Sequence, residues 1–123
     1  MFEYELYICN SYLNMANHKK TEFAATDQDI SMVAKALSHP ARIAIMRILA
    51  QHKHFTCGEI VEILPLAQPT VSHHLKELMD ARLITVAIDG KKSLYDVNWP
   101  TWNRYTAEFE NMLSAINKAE QQP

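Results

Sequence analysis

The chain holds 123 residues, 48% apolar and 21% charged, a balance that fits one globular domain and excludes a disordered or two-domain chain. Two glycines exclude a Gly-rich phosphate cradle, two cysteines are too few for a disulfide framework, and no run of about 18 apolar residues offers a membrane span. The formal net charge of −2 is unevenly spread: residues 31–92 carry eight basic and five acidic side chains, residues 1–30 two and five, and residues 93–123 two and four. The middle of the chain is therefore the part suited to a polyanion.

Glu3 and Glu5 stand where a secretory leader has basic residues, which points to a cytoplasmic protein. Within residues 3–17, Tyr4, Ile8, Tyr12 and Met15 fall at helical spacing, while Phe2, Tyr4 and Leu6 alternate like a strand; a helix is favoured. Met15 is a second candidate for the first residue of the native chain.

In TDQDISMVAKALSHP, Thr26 or Asp27 is expected to cap a helix whose stripe is Ile30, Val33, Ala34 and Leu37. Pro40 suits the first turn of the next helix, PARIAIMRILA, which is apolar on nearly every side and is expected to be the central buried one. The stretch QHKHF reads as a polar connection. Thr56-Cys57-Gly58-Glu59 fits a capping box and opens a short helix carrying Ile60, Val61, Ile63 and Leu64. Pro65-Leu66-Ala67 is a tight turn, and Gln68-Pro69 opens a helix reaching about Ala81. Two short helices joined by such a turn form a helix-turn-helix.

On the second of these helices Val71, Leu75, Leu78 and Met79 cluster on one side, with Thr70, His73, Lys76 and Glu77 opposite and Ser72 flanking. Small hydroxyls, an imidazole and a cation are groups that hydrogen-bond base edges and phosphates in a major groove, although a plain solvated helix face has a similar look. Two strand-like runs follow, LITVAID and KKSLYDV. Asp89-Gly90 between them is a hairpin signal, and Lys91 and Lys92 sit at its tip. A basic hairpin after a helix-turn-helix is a wing that reaches the sugar-phosphate backbone. In the last segment Trp102, Tyr105, Phe109, Met112, Leu113 and Ile116 recur at helical spacing, a stripe long enough to be a seam with a second copy.

VAKALSHPARIAIMRIL and LPLAQPTVSHHLKELMDARLITVAIDGKKSLYDVN, above all QPTVSHHLKEL followed by a DG wing, resemble the ArsR-type winged-helix repressors over about residues 29–98. The resemblance implies a mainly α (α+β) winged helix-turn-helix with a two-stranded wing and N- and C-terminal dimerisation helices. It divides the one domain into an N-terminal extension (1–26), the helix-turn-helix (56–81), the wing (83–98) and the dimer helix (101–119). The expected partners are double-stranded DNA and a second copy of the chain. Gln68, Thr70, Ser72 and His73 would contact DNA from the recognition helix, with Lys76, Lys91 and Lys92 on phosphates. His74 lies nearer the apolar boundary and reads as packing. Ala67 stands where the family often has a capping serine, at a cost of about 1 kcal/mol to the helix start.

Neither metal site of that family is expected. Its Cys-x-Cys positions correspond here to Thr56 and Gly58, and its histidine-bearing last helix here has no histidine. His52, His54 and Cys57 are a residual set of soft-metal ligands, more often a solvated loop and a small thiol; no metal or cofactor is expected. A thiol switch through Cys9 and Cys57 is an alternative form of the same regulator. The competing readings are an enzyme, which lacks a nucleophile–base pair on one face, and a protein-interaction module on the same scaffold. Salt-dependent, sequence-selective DNA binding separates the module from a regulator.

Overall fold

The computed structural model describes residues 22–121. Along the chain run α1 (Ala25–Ala36), α2 (Pro40–Gln51), β1 (Phe55–Thr56), α3 (Cys57–Ile63), α4 (Gln68–Asp80), β2 (Ile84–Asp89), β3 (Lys92–Val97) and α5 (Trp99–Glu120). The segment expected to be helical over residues 3–17 lies outside the described residues, as does Cys9.

α1 begins at Ala25, ahead of both expected caps, Thr26 and Asp27. Ala24 is the extended residue at its start and offers no side-chain bond; instead the Gln28 side chain donates to the Phe23 carbonyl at 2.8 Å. Asp27 falls in the first turn, where a carboxylate favours the positive helix end. Val33 and Ala36 are the buried positions of this helix, and Ala34 is exposed, one step off the expected stripe.

α2 is buried on one side only, which corrects the expectation of a central enclosed helix. Ile45, Met46 and Leu49 enter the core, whereas Ile43, Arg47 and Ala50 face outward. Its first turn is fixed by His39, whose Nδ1 accepts from the Ala41 amide at 3.0 Å, ahead of Pro40. α3 starts with the expected capping box. The Thr56 hydroxyl accepts from the Glu59 amide at 3.1 Å, and the Glu59 carboxylate accepts from the Thr56 amide at 3.1 Å. Ala67 leaves α4 without a side-chain cap.

After α4 the chain reverses through Arg82, whose left-handed φ of 61° lets the Leu83 amide bond the Leu78 carbonyl at 3.1 Å and close the helix end. Leu83 is thereby driven into the core and β2 departs toward solvent. β2 and β3 pair antiparallel from Ile84↔Val97 to Asp89↔Lys92. Gly90 turns the hairpin at φ +62°, with no atom within 4 Å of where a Cβ would lie, so the glycine serves backbone conformation and not space. Ile84 is buried, but Val86 and Ile88 are exposed, because the hairpin projects beyond the body.

The sheet has a third strand, where the local pattern predicts the end of a connection and a cap. Phe55 and Thr56 pair with Tyr95 and Leu94, giving the order β1-β3-β2. This pins the base of the wing to the start of α3. The core joins Val33 of α1, Ile45 and Leu49 of α2, Ile60 of α3, Val71, Leu75 and Leu78 of α4, Leu83, Val97, and Tyr105 of α5.

Candidate nucleic-acid interface

α4 is amphipathic in the way its spacing requires. Val71, Leu75 and Leu78 are fully enclosed, and Gln68, Thr70, Ser72, His73 and Lys76 are exposed along the opposite side; Glu77 is half-buried. The apolar side locks the helix against α2 and α3, so the polar side is presented by a rigid element and not by a loop.

The wing stands beside that helix. Gln68 and Ser72 of α4 line one open cleft of about 480 Å³ together with Lys91, Lys92 and Ser93 of the hairpin and Thr56 at the start of α3. Two ammonium groups and several small hydroxyls thus share a concave surface with the N-terminal turns of α4. Glu59 also lines the cleft, and its carboxylate is engaged by the Thr56 amide and hydroxyl at 3.1 and 3.0 Å. Thr70, His73 and Lys76 lie on α4 outside this cleft, so the sequence-predicted set is split between the cleft and the outer helix face.

His74 is buried at 5% exposure, as its place near the apolar boundary predicts, and its polar partner comes from another helix. The Arg42 Nε donates to His74 Nδ1 at 3.1 Å, while Arg42 Nη1 donates to the Lys35 and Ala36 carbonyls at 3.4 and 3.3 Å. One guanidinium thus joins the end of α1, the first turn of α2 and α4. The sequence carried a signal for it. Arg42 occupies the same stripe as Ile45, Met46 and Leu49, and a charged residue on a buried stripe must find partners. Because Nδ1 accepts, the ring proton belongs on Nε2. Burial lowers the His74 pKa below its ordinary value, and the nearby His39, Arg42 and His73 add to the shift against a smaller opposing pull from Glu77.

The histidine and cysteine set before α3 is dispersed. His54, in the left-handed region at φ 56°, donates its amide to Asp96 Oδ1 at 2.8 Å and sets its ring Nδ1 2.8 Å from Asp96 Oδ2. His52 stacks on Phe55 with centroids 4.7 Å apart. Cys57 is half-buried, and desolvation pushes its thiol above the usual cysteine range, opposite to what a reactive thiolate requires. Among the described residues no three His, Cys, Asp or Glu side chains are grouped to hold a metal ion.

On α5, Tyr105 is buried in its own core and Trp102, half-buried, packs one side against that core. Phe109 and Met112 are half-buried, while Leu113 and Ile116 are 46% and 62% exposed. Arg104 ties α5 to α1 through Asp29 at 3.4 Å. No helix among the described residues is long and apolar enough to cross a membrane.

A helix-turn-helix domain family matches residues 37–87. Over 94 residues the chain is 31% identical to the arsenical resistance operon repressor of Staphylococcus xylosus, a match covering 76% of this chain and 86% of that protein. An ArsR-like transcriptional regulator from Rhodococcus sp. RHA1 has the same fold, with a TM-score of 0.61 at 21% identity over 78% of this chain and 96% of that one. The homodimeric winged helix-turn-helix DNA-binding domain from Mycobacterium bovis gives 0.60 at 20% identity, over 87% and 95%. With a repressor matched over most of its length, and with the two helices and the wing in their expected order, this chain belongs to the ArsR family of winged helix-turn-helix transcriptional regulators.

Proposed function

We propose that the protein is a homodimeric repressor that places α4 in the major groove of a two-fold operator and is released by an effector. The observation that carries this reading is the shared cleft of Gln68, Ser72, Lys91 and Lys92, which brings hydrogen-bonding groups of a rigid helix and the cations of a wing to one surface. In this arrangement Gln68, Thr70, Ser72 and His73 read base edges, and Lys76, Lys91 and Lys92 hold phosphates. Such a protein acts where the DNA is, in the cytoplasm, and needs no catalytic group.

The dimer reading rests on the outer stripe of α5. Leu113 and Ile116 leave large apolar side chains in solvent, and Met112, Ile116 and Ala119 border an open groove shared with Ile30 of α1. A second copy crossing that groove would bury both. The M. bovis neighbour is homodimeric, which agrees with this reading.

The test is fluorescence anisotropy of the protein on DNA from upstream of its own gene, at several salt concentrations, with and without reductant. Tight, sequence-selective and salt-dependent binding is expected, and its loss on oxidation would make the regulator the thiol-switch form. Absence of selective binding at every salt concentration would overturn the proposal in favour of an interaction module.

A further inference from the structure

The outward face of α2 does not end in plain solvent. Ile43, Arg47 and Ala50 form one wall of a cavity of about 270 Å³, and Trp99 and Trp102, from the first turn of α5, form another, with Val97 at its base. The size lies near the lower end of small-molecule pockets, which run from about 300 to 1,000 Å³. Trp99 is 48% and Ile43 43% exposed, so large apolar side chains are held open at the rim. Arg47 is the one charged residue of the lining, no carboxylate shares the cavity, and among the described residues Arg47 has no hydrogen-bond or ion-pair partner. An apolar, aromatic-walled space with one uncommitted guanidinium complements an apolar body carrying a single anionic group.

We infer that this cavity binds a small amphipathic anion, an aromatic or short-chain carboxylate, as the effector of the regulator; the effector role rests on the repressor reading above, while the binding site does not. The position suits that role. Val97 ends the strand that begins at the wing residue Lys92, α2 is joined to α4 through Arg42 and His74, and the two tryptophans begin the helix that bears the outer seam. An occupant therefore touches the root of the wing at Val97, the first turn of α5, and α2, which the Arg42–His74 bond couples to α4. It shifts DNA affinity to the extent that it favours one arrangement of these elements.

The experiment uses the intrinsic fluorescence of the full chain, because its two tryptophans are Trp99 and Trp102 and both line the cavity. The probes are 3-phenylpropionate and its neutral counterpart 3-phenylpropan-1-ol. The carboxylate is expected to change the emission saturably and to bind more tightly than the alcohol. Arg47→Met, which keeps the apolar stem, is expected to weaken the carboxylate about tenfold and to leave the alcohol unchanged. Ala50→Phe, at an exposed position, is expected to fill the space and abolish both. A linear, non-saturating response in the wild type would overturn the site. Equal binding of acid and alcohol, or an unaltered carboxylate affinity in Arg47→Met, would overturn the anion assignment. The anisotropy assay repeated with saturating 3-phenylpropionate tests the effector role: weakened operator binding supports it, and an unchanged operator affinity overturns it. If the protein binds no operator at all, the repressor reading fails and the fluorescence titration still decides the site.

Discussion

Arg42 Nε donates to His74 Nδ1 across 3.1 Å, joining α2 to α4 between residues 32 positions apart. The same guanidinium caps the carbonyls of Lys35 and Ala36 at the end of α1. The α4 helix has no side-chain cap at Ala67, and among the described residues its orientation rests on Val71, Leu75 and Leu78 in the core and on this polar bond.

Arg42→Met removes the donor while keeping most of the apolar stem. The buried His74 nitrogen loses its donor and the Ala36 carbonyl loses the guanidinium, while the Lys35 carbonyl keeps its bonds from Ser38, at an expected cost of about 1.5–3 kcal/mol in urea unfolding. Selective DNA binding should weaken more than non-specific binding, because the register of α4 is what loosens. A variant with unchanged stability would show that the bond is not maintained in solution.

His74 makes stability depend on pH. Its folded pKa lies below the ordinary 6.5, so between the two values the unfolded chain binds more protons than the folded one. The contribution is fully present above 6.5 and is lost as the pH falls through that value toward the lowered folded pKa. His39, Arg42, His73 and Glu77 surround the ring, and the first three disfavour its protonation. Urea midpoints of the wild type should fall on acidification below 6.5, and His74→Gln, whose amide oxygen can still accept from Arg42, should fall less. Parallel profiles for the two proteins would place the titration elsewhere.

The division between helix and wing has distinct salt signatures. Lys91→Ala or Lys92→Ala should weaken binding to every sequence and lower the salt slope by about 0.9 for each lost phosphate contact. His73→Ala should cost about 1–3 kcal/mol on the cognate site and relax selectivity, with little change of slope. Indistinguishable behaviour of these variants in anisotropy titrations would refute the assignment of base reading to α4 and phosphate holding to the hairpin.

The seam is open to a direct measurement. Ile116 is 62% exposed on its own chain, so Ile116→Glu should leave folding of the subunit intact. Sedimentation is expected to shift from dimer to monomer, with operator affinity falling accordingly. A dimer that survives this substitution, and survives Leu113→Glu as well, would remove the outer stripe of α5 from the interface.

Local chemistry made much of the protein readable. The capping box at Thr56 and Glu59, Pro40 and Pro69 in the first turns of α2 and α4, the alternation on either side of Asp89-Gly90, and the 3.6-residue stripe of Val71, Leu75 and Leu78 all act within a few residues. The element order, and the polar face of α4 beside a basic hairpin, follow from them. Other features were decided by contacts far apart in the chain. Phe55 became a strand because Tyr95 offered its free edge, and His54 took a left-handed backbone because Asp96, 42 residues on, accepts both its amide and its ring. The start of α1 was set by a Gln28 side chain bonding back to Phe23, where the sequence had offered Thr26 and Asp27 as caps. Whether an apolar stripe faces its own core or a neighbour is likewise invisible to periodicity. Ile45 and Ile43 are equally apolar, yet one is enclosed and the other lines an open cavity; Tyr105 is buried while Ile116, on the same α5 stripe, is not. The sequence alone determined the helices and the hairpin and their order, because caps, turns and amphipathic period are local. Only the tertiary structure decided which faces are covered, because burial depends on what the rest of the chain brings against them.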